Sequence, residues 1–223
     1  ILDADELYEA SAQIPWEDWV NPNITFSVTE TVKNCPYMKN SHFAAIRLKD
    51  AIVDRIRSKF DGERPLVDTE NSDVVFHLHI DGDKVAWYVD FSGRGLHRRG
   101  YRVAQTDAVL SEYLTCSVIY RSEWRKTLEK GEGVPMLLDP FCGSGTIAIE
   151  AALWAADRAP GLVSARRFNF FNLPIHDPDV YEEVVDEAME RAEKAKERTI
   201  EIHAWDNDPK AVAISKKHAE LAK

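Results

Sequence analysis

The sequence predicts an α/β chain in two parts: a small α+β unit, then a parallel strand–helix–strand unit that opens a larger sheet. Three observations carry this. Three strand-like segments precede residue 92, and a helical run separates the first from the second. The stretch Met136-Leu137-Leu138-Asp139-Pro140-Phe141-Cys142-Gly143-Ser144-Gly145-Thr146 then reads as a buried strand, a glycine turn and the start of a helix. With 223 residues, the chain can hold one large core or two small ones.

Each element has a local reason. Thr25 to Val32 alternates and is rich in β-branched residues, as a strand requires. Ser41 precedes a helical run with Ala45, Leu48, Ile52, Ile56 and Phe60 on one face and Arg47, Lys49, Arg55, Arg57 and Lys59 on the other. Asp73 to Ile80 and Lys84 to Phe91 are two further strands, joined through Asp81-Gly82-Asp83 as a tight hairpin. His77 and His79 alternate with Phe76, Leu78 and Ile80, so they share the opposite side; with no third ligand in view, no metal site is assigned.

Ala104 to Lys130 reads as helical, with Val109, Leu114, Val118 and Trp124 as packing residues, and Gly131-Glu132-Gly133 is a loop before the strand Val134 to Leu138. Thr146 opens a helix that continues through the apolar run Ile147 to Ala156. A long insertion, Ala156 to Thr199, follows where a crossover needs only one helix. Within it, Phe168, Phe170 and Phe171 with Asn169 and Asn172 read as a hydrophobic plug over the sheet or a ligand pocket, the competing reading being base stacking. Pro178 to Arg198 is a charged helix with the stripe Val184, Ala188, Ala192 and Ala195. Thr199 to Trp205 is the second parallel strand and ends in Asp206-Asn207-Asp208-Pro209, where Asp208 and Pro209 have the composition of a helix N-cap and first residue.

The glycine turn carries the chemistry. Gly143 and Gly145 lack a Cβ, so the chain can take positive φ and a ligand can approach the main chain. The helix opened by Thr146 presents unpaired N–H groups to that loop. Gly143-Ser144-Gly145-Thr146-Ile147-Ala148 also fits the dinucleotide fingerprint, so the glycines alone leave the cofactor open. Asp139, at the end of the strand, suits a cationic or hydroxyl-bearing ligand. Asp206, at the end of the second strand, suits the two hydroxyls of a ribose.

The run Asp139 to Thr146 resembles motif I of class I S-adenosylmethionine-dependent methyltransferases, in the form found in THUMP-domain RNA methyltransferases and most of all in the large-subunit ribosomal RNA guanine-N2 methyltransferases. Asp90 to Arg102, Asp157 to Leu162 and Asp206 to Pro209 extend the resemblance over residues 90 to 210. The β-α-β-β order before residue 92 is similar to the C-terminal part of a THUMP domain. The resemblance implies a partial THUMP-like unit over 1–92, a basic linker and connecting helix over 93–133, and the N-terminal part of a Rossmann-like methyltransferase domain over 134–223. It implies S-adenosylmethionine as cofactor, held by Asp139, Pro140, Cys142, Gly143, Gly145 and Thr146, with Asp206 on the ribose hydroxyls and Asn207 beside the adenine. Cys142 is then a small residue in a crowded loop, not a nucleophile; no base stands at a recognisable spacing from it.

The chain departs from the family in two places. The Asn/Asp-Pro-Pro-Tyr/Phe catalytic tetrapeptide that such enzymes carry after the fourth strand does not occur in the 223 residues, so no catalytic residue is assigned and the chain is expected to be a fragment unable to transfer methyl groups alone. Leu110 to Leu114 also lacks the usual polar pattern and receives no role.

The formal charge of −10 opposes binding to nucleic acid as a whole surface, because phosphate contacts need Lys and Arg. The acids concentrate in Asp177 to Glu201, while Arg94, His97, Arg98, Arg99 and Arg102 fall in one segment, the expected phosphate contact. The competing reading is a linker whose arginines pair with acids of the adjoining domain. Tyr101 is read as packing, with base stacking as its alternative, and the cationic face of the Ser41 helix as a solvated face, with RNA contact as its alternative. The expected partner is RNA, ribosomal before transfer RNA. Cys35, Cys116 and Cys142 form neither a disulfide framework nor a metal motif, and no apolar run approaches the ~20 residues of a membrane span, so a reducing cytoplasmic compartment is expected. Three other functions share parts of the pattern: a dinucleotide-dependent oxidoreductase, a DNA adenine N6 methyltransferase, and a non-catalytic RNA-binding fragment.

Overall fold

A computed structural model describes residues 3–38, 40–93, 95–104, 109–131, 133–163 and 168–223, which divide into two compact units. The first contains residues 3–93 and, from far along the chain, residues 168–177.

In the first unit, helix α1 (Ala4–Ala12) is capped by Asp3, whose Oδ1 accepts from the N–H groups of Asp5 and Glu6. Strand β1 (Phe26–Lys33), helix α2 (Ser41–Lys59) and strand β2 (Val74–Asp81) form a parallel crossover with the register Phe26↔Val74 to Lys33↔Asp81. Strand β3 (Lys84–Val89) turns back antiparallel at Gly82, giving the order β1-β2-β3. The period-2 reading of β2 holds: Val74, Phe76, Leu78 and Ile80 are buried, while His77 and His79 share the other face, and His77 Nδ1 lies 2.9 Å from Thr29 Oγ1. Helix α2 buries Ala44, Ala45, Leu48, Ala51, Ile52 and Ile56 against this core, each large side chain contributing about 1.5–3 kcal/mol.

Most cations of the other α2 face are occupied within the unit. Arg47 bonds Asp5 and the Ala4 carbonyl, and Arg55 forms a two-pronged pair with Glu17 at 2.7 Å for each bond. Residues 168–177 complete the same unit. Leu173 is buried in its core, Phe170 packs against that core, Phe170 N–H donates to the Phe91 carbonyl, and Asn172 Nδ2 donates to the Asp73 carbonyl. The three phenylalanine rings pack on one another, and of the three it is Phe170 that, with Leu173, closes the first unit's core.

The second unit holds residues 95–163 and 178–223, apart from those not described. The single helix expected over Ala104 to Lys130 is two, α3 (Glu112–Arg121) and α4 (Glu123–Lys130), hinged at Ser122, which closes the first and caps the second with its side chain. The expected packing residues need correction too. Leu114 and Val118 are exposed, and α3 turns Glu112, Thr115 and Ile119 inward, because Arg102 pairs with Glu112. Strand β4 (Met136–Asp139) and strand β5 (Glu201–Ala204) are parallel, with the register Met136↔Glu201 to Asp139↔Ala204. Helix α5 (Thr146–Ala155) covers one face of this pair, where Leu137 and Ile202 meet Ile119, Trp124, Ala151 and Ala155. The other face shows Met136 64 % and Leu138 51 % exposed.

Helix α6 (Pro178–Ala195) buries its stripe only at its end: Val184 is exposed and Ala195 buried. Helix α7 (Pro209–Leu221) begins as expected, with Asp208 Oδ1 accepting from Lys210 N–H and Pro209 at the first position.

Candidate cofactor site

The glycine turn sits where β4, β5, α5 and α7 meet. Trp205 N–H donates to the Asp139 carbonyl and Cys142 N–H to the Trp205 carbonyl, both at 2.8 Å, so the ladder between the strands runs on into the loop. Gly143 and Gly145 hold φ of +52° and +82°. At Gly145 the missing Cβ serves packing as well as conformation: a Cβ there would stand 2.2 Å from Ser215 Oγ of α7. Gly145 also opens α5 without any side-chain cap, leaving that end of the helix to be satisfied by something else.

Two carboxylates flank the turn. Asp139 is 8 % exposed, and its Oδ1 accepts from Phe141 N–H at 3.2 Å. Asp206 Oδ1 accepts from Asp208 N–H at 3.0 Å and its Oδ2 from Gly143 N–H at 2.8 Å. Those two backbone donors, Asp208 first, hold the Asp206 carboxyl below the usual carboxylate range. An ionised carboxylate has about four lone-pair sites, so Asp206 retains acceptors for two hydroxyls while remaining fixed to the loop.

Cys142 lies between these acids. Burial first, then the charges of Asp139 and Asp206, push its thiol up, so it is a poor nucleophile. Phe141 is 86 % exposed at the tip of the turn, and Asn207 is exposed beside Asp206.

The structure separates the residues expected to contact RNA. Arg94 lies outside the described residues. Arg98 is exposed, and His97 is half-buried with its ring against Tyr113. Arg99 and Arg102 are corrections: their side chains are only 10 % and 12 % exposed and pair with Glu150 and Glu112. Arg102 Nη2 also donates to the Leu110 carbonyl and to Thr146 Oγ1, at 3.1 Å each, so it supports the first residue of α5 from beneath. Tyr101 is buried, with its hydroxyl donating to Glu150 Oε1 at 2.8 Å. Both arginines thus pair with acids of the second unit, to which they themselves belong.

Sequence reasoning missed the loop's other supports, Ser215 and His218. His218 of α7 is fully buried and touches the Ser144 carbonyl through Nδ1. The available signal was its seven-residue spacing from Ala211 on the buried stripe of α7. The structure also removes one argument against a dinucleotide. The long sequence distance from the glycine turn to Asp206 is caused by the insertion, and in space Asp206 bonds Gly143 directly.

A parallel strand–glycine turn–helix, with an acid from the next strand bonded into the turn, defines a Rossmann-like cofactor-binding half-domain. A family model described as the RMKL-like methyltransferase domain matches residues 99–223, and a THUMP domain model matches residues 2–90. The chain belongs to the RMKL-like methyltransferase family. It is 39 % identical over 215 residues to a ribosomal RNA large subunit methyltransferase K/L of Desulfotalea psychrophila, an alignment that covers 96 % of this chain and 29 % of that protein. A protein of the same description from Syntrophotalea carbinolica is 38 % identical over 99 % of this chain and 30 % of its own length. The chain thus spans about a third of the length of these curated relatives. Among solved structures, a protein from Listeria monocytogenes described as a predicted N6-adenine-specific DNA methylase superposes with a TM-score of 0.79 at 30 % identity, covering all of this chain and 55 % of its own. SMU.472, described as a putative methyltransferase and crystallised with SAH, superposes at 0.79 with 27 % identity, over 98 % of this chain and 54 % of its own.

Proposed function

We propose that the chain is the cofactor-binding part, with a THUMP-like unit, of an enzyme that transfers a methyl group from S-adenosylmethionine to an exocyclic guanine nitrogen of ribosomal RNA. The observation that carries this reading is the Asp206 carboxylate, ionised, bonded to Gly143 N–H and facing the same turn as Asp139. The fit is chemical: the cofactor offers ribose hydroxyls to one acid and positive charge to the other, and its sulfonium supplies an electrophilic methyl group when bound. Asp206 would hold the ribose, Asn207 the adenine edge, and Asp139 with the Cys142–Gly145 turn the methionine end.

What the chain's residues contribute is positioning. A guanine amino group is a weak nucleophile because its lone pair is delocalised into the ring, so alignment supplies most of the rate gain. The base must stand outside a helix or be extruded from one. His97 and Arg98 are the remaining phosphate contacts proposed from the basic segment. RNA is favoured over DNA as acceptor by the THUMP match and by the ribosomal RNA relatives, although the Listeria neighbour carries a DNA description.

Calorimetry tests the reading. S-adenosylhomocysteine should bind and NAD should not. Asp206→Ala should weaken S-adenosylhomocysteine by at least about tenfold, the scale of losing hydrogen bonds to a charged group. NAD heat without S-adenosylhomocysteine heat would overturn the methyltransferase reading, and unchanged affinity in Asp206→Ala would overturn the ribose assignment.

A further inference from the structure

A cleft of about 940 Å³ opens at the C-terminal end of α5, between α4, the turn at 157–160 and the end of α6. Its volume lies within the range of ligand sites, ~300–1,000 Å³. It is not part of the cofactor site, because the glycine turn is at the other end of α5, ~15 Å away along a ten-residue helix.

The cleft has an apolar wall of Leu128, Leu153, Trp154 and Pro160. Its charges do not cancel. Each of its three carboxylates is already answered by an arginine: Glu129 by Arg125 at 2.9 Å, Glu150 by Arg99 at 3.5 Å, and Asp157 by Arg191 at 2.8 Å. Lys130, Arg158 and Arg198 remain, with no carboxylate within ion-pair distance among the described residues. Arg198 spends one donor on the Ala155 carbonyl and keeps the rest of its fork. Arg99, nine-tenths buried in the same wall, faces Glu150 Oε2 through its Nε at 3.5 Å, an ion pair without a hydrogen bond. Arg191, which lines the cleft from α6, also pairs with Glu187 at 3.9 Å.

Three unanswered cations beside an indole, in a chain of net charge −10, are a local exception to the protein's composition. An indole gives a stacking surface that any base can use, and cations beside it track a phosphate backbone. We propose that this cleft binds a single-stranded segment of the RNA, with a base on Trp154 and phosphates on Lys130, Arg158 and Arg198. The proposal rests on the RNA reading above.

The test is fluorescence anisotropy with an unstructured, uridine-rich RNA 12-mer, run beside S-adenosylhomocysteine calorimetry. The double variant Lys130→Gln/Arg158→Gln should bind the RNA at least about fivefold more weakly, with a salt slope shallower by roughly 0.7 for each phosphate that is no longer neutralised. Trp154→Leu should weaken binding by roughly fivefold or more, and 5-iodouridine in the RNA should crosslink to the peptide that contains Trp154. Thermal melts of both variants separate loss of binding from loss of fold; the charge variant, at the exposed Lys130 and the half-buried Arg158, keeps the test open if Trp154→Leu unfolds. RNA affinity unchanged in the double variant, or crosslinks only elsewhere, overturns the cleft and leaves the RNA reading standing. A charge variant that weakens RNA, with Trp154→Leu folded and without effect, overturns the nucleotide in favour of a plain anion site. A wild-type protein that binds no RNA overturns both, while the calorimetry still reports separately on the methyltransferase reading.

Discussion

His218 Nδ1 lies 3.1 Å from the main-chain oxygen of Ser144, inside the glycine turn, while Nε2 of the same ring receives the N–H groups of Val103 and Ala104 at 3.2 and 3.3 Å. A carbonyl can only accept and an N–H can only donate, so these partners assign the proton to Nδ1. One ring thus fixes the turn's peptide and ties it to the segment after Tyr101.

The two bonds can be separated by substitution. Asn at 218 can still offer an N–H near the Nδ1 position, whereas Gln can still offer an acceptor near Nε2. His218→Asn is expected to keep S-adenosylhomocysteine affinity within about twofold and His218→Gln to lose about tenfold, because the buried Ser144 carbonyl then has no donor, at a cost of ~1–3 kcal/mol. Titration calorimetry reads this, and the reverse order would reject the role of Ser144.

Gly145→Ala should be among the most damaging changes of its size. The new methyl would meet Ser215 Oγ at 2.2 Å, in a backbone conformation with φ +82°. Adding Ser215→Gly should restore the steric part of the lost stability and leave ~1–2 kcal/mol of backbone strain. Urea midpoints of the two single variants and the double variant check this; full recovery would show that the conformation itself costs nothing.

Arg98 and Arg102 should part company. Arg102→Ala removes the partner of a buried Glu112, and breaking such a pair costs ~3–5 kcal/mol. Arg98→Ala should leave the melting temperature unchanged and flatten the salt dependence of RNA binding. Equal effects of the two on stability would contradict the division between a buried brace and a surface contact.

Acid should act on the first unit through Glu17. Its pair with Arg55 lowers the carboxyl from 4.5 to about 2. A depressed folded value means that the unfolded chain takes up the proton first, so the stabilisation is full above about 4.5 and is lost as pH falls toward 2. The pair is partly solvated, which keeps the effect small. Glu17→Gln should be less stable than wild type at pH 7, and the gap should close by pH 2; a constant gap in urea titrations across that range would reject the linkage.

Elements with a complete local signal are legible in the sequence. Helix α2 repeats its apolar residues every three or four positions, and β2 alternates through His77 and His79 without interruption. Helix α3 misleads because its inward face contains Glu112 and Thr115, polar residues made tolerable by Arg102, ten positions before Glu112 and outside the helix. The turn, Asp139 and Asp206 can be found because strand ends and glycines mark themselves. Ser215 and His218 cannot, since their value depends on α7 passing close to the turn. The arginines of residues 99 and 102 look like a nucleic-acid segment because the sequence shows charge but not its burial.

Leu173 and Phe170 have a consequence for synthesis. The first unit's core takes its last side chains from residues about 80 positions beyond Gly93, which the ribosome delivers only after ~5–15 s at ~5–20 residues per second. Until then the apolar ground that Leu173 will occupy stays uncovered on the nascent chain. The first unit is therefore the one that must wait, and a truncation after residue 93 should behave as an unfinished core prone to self-association.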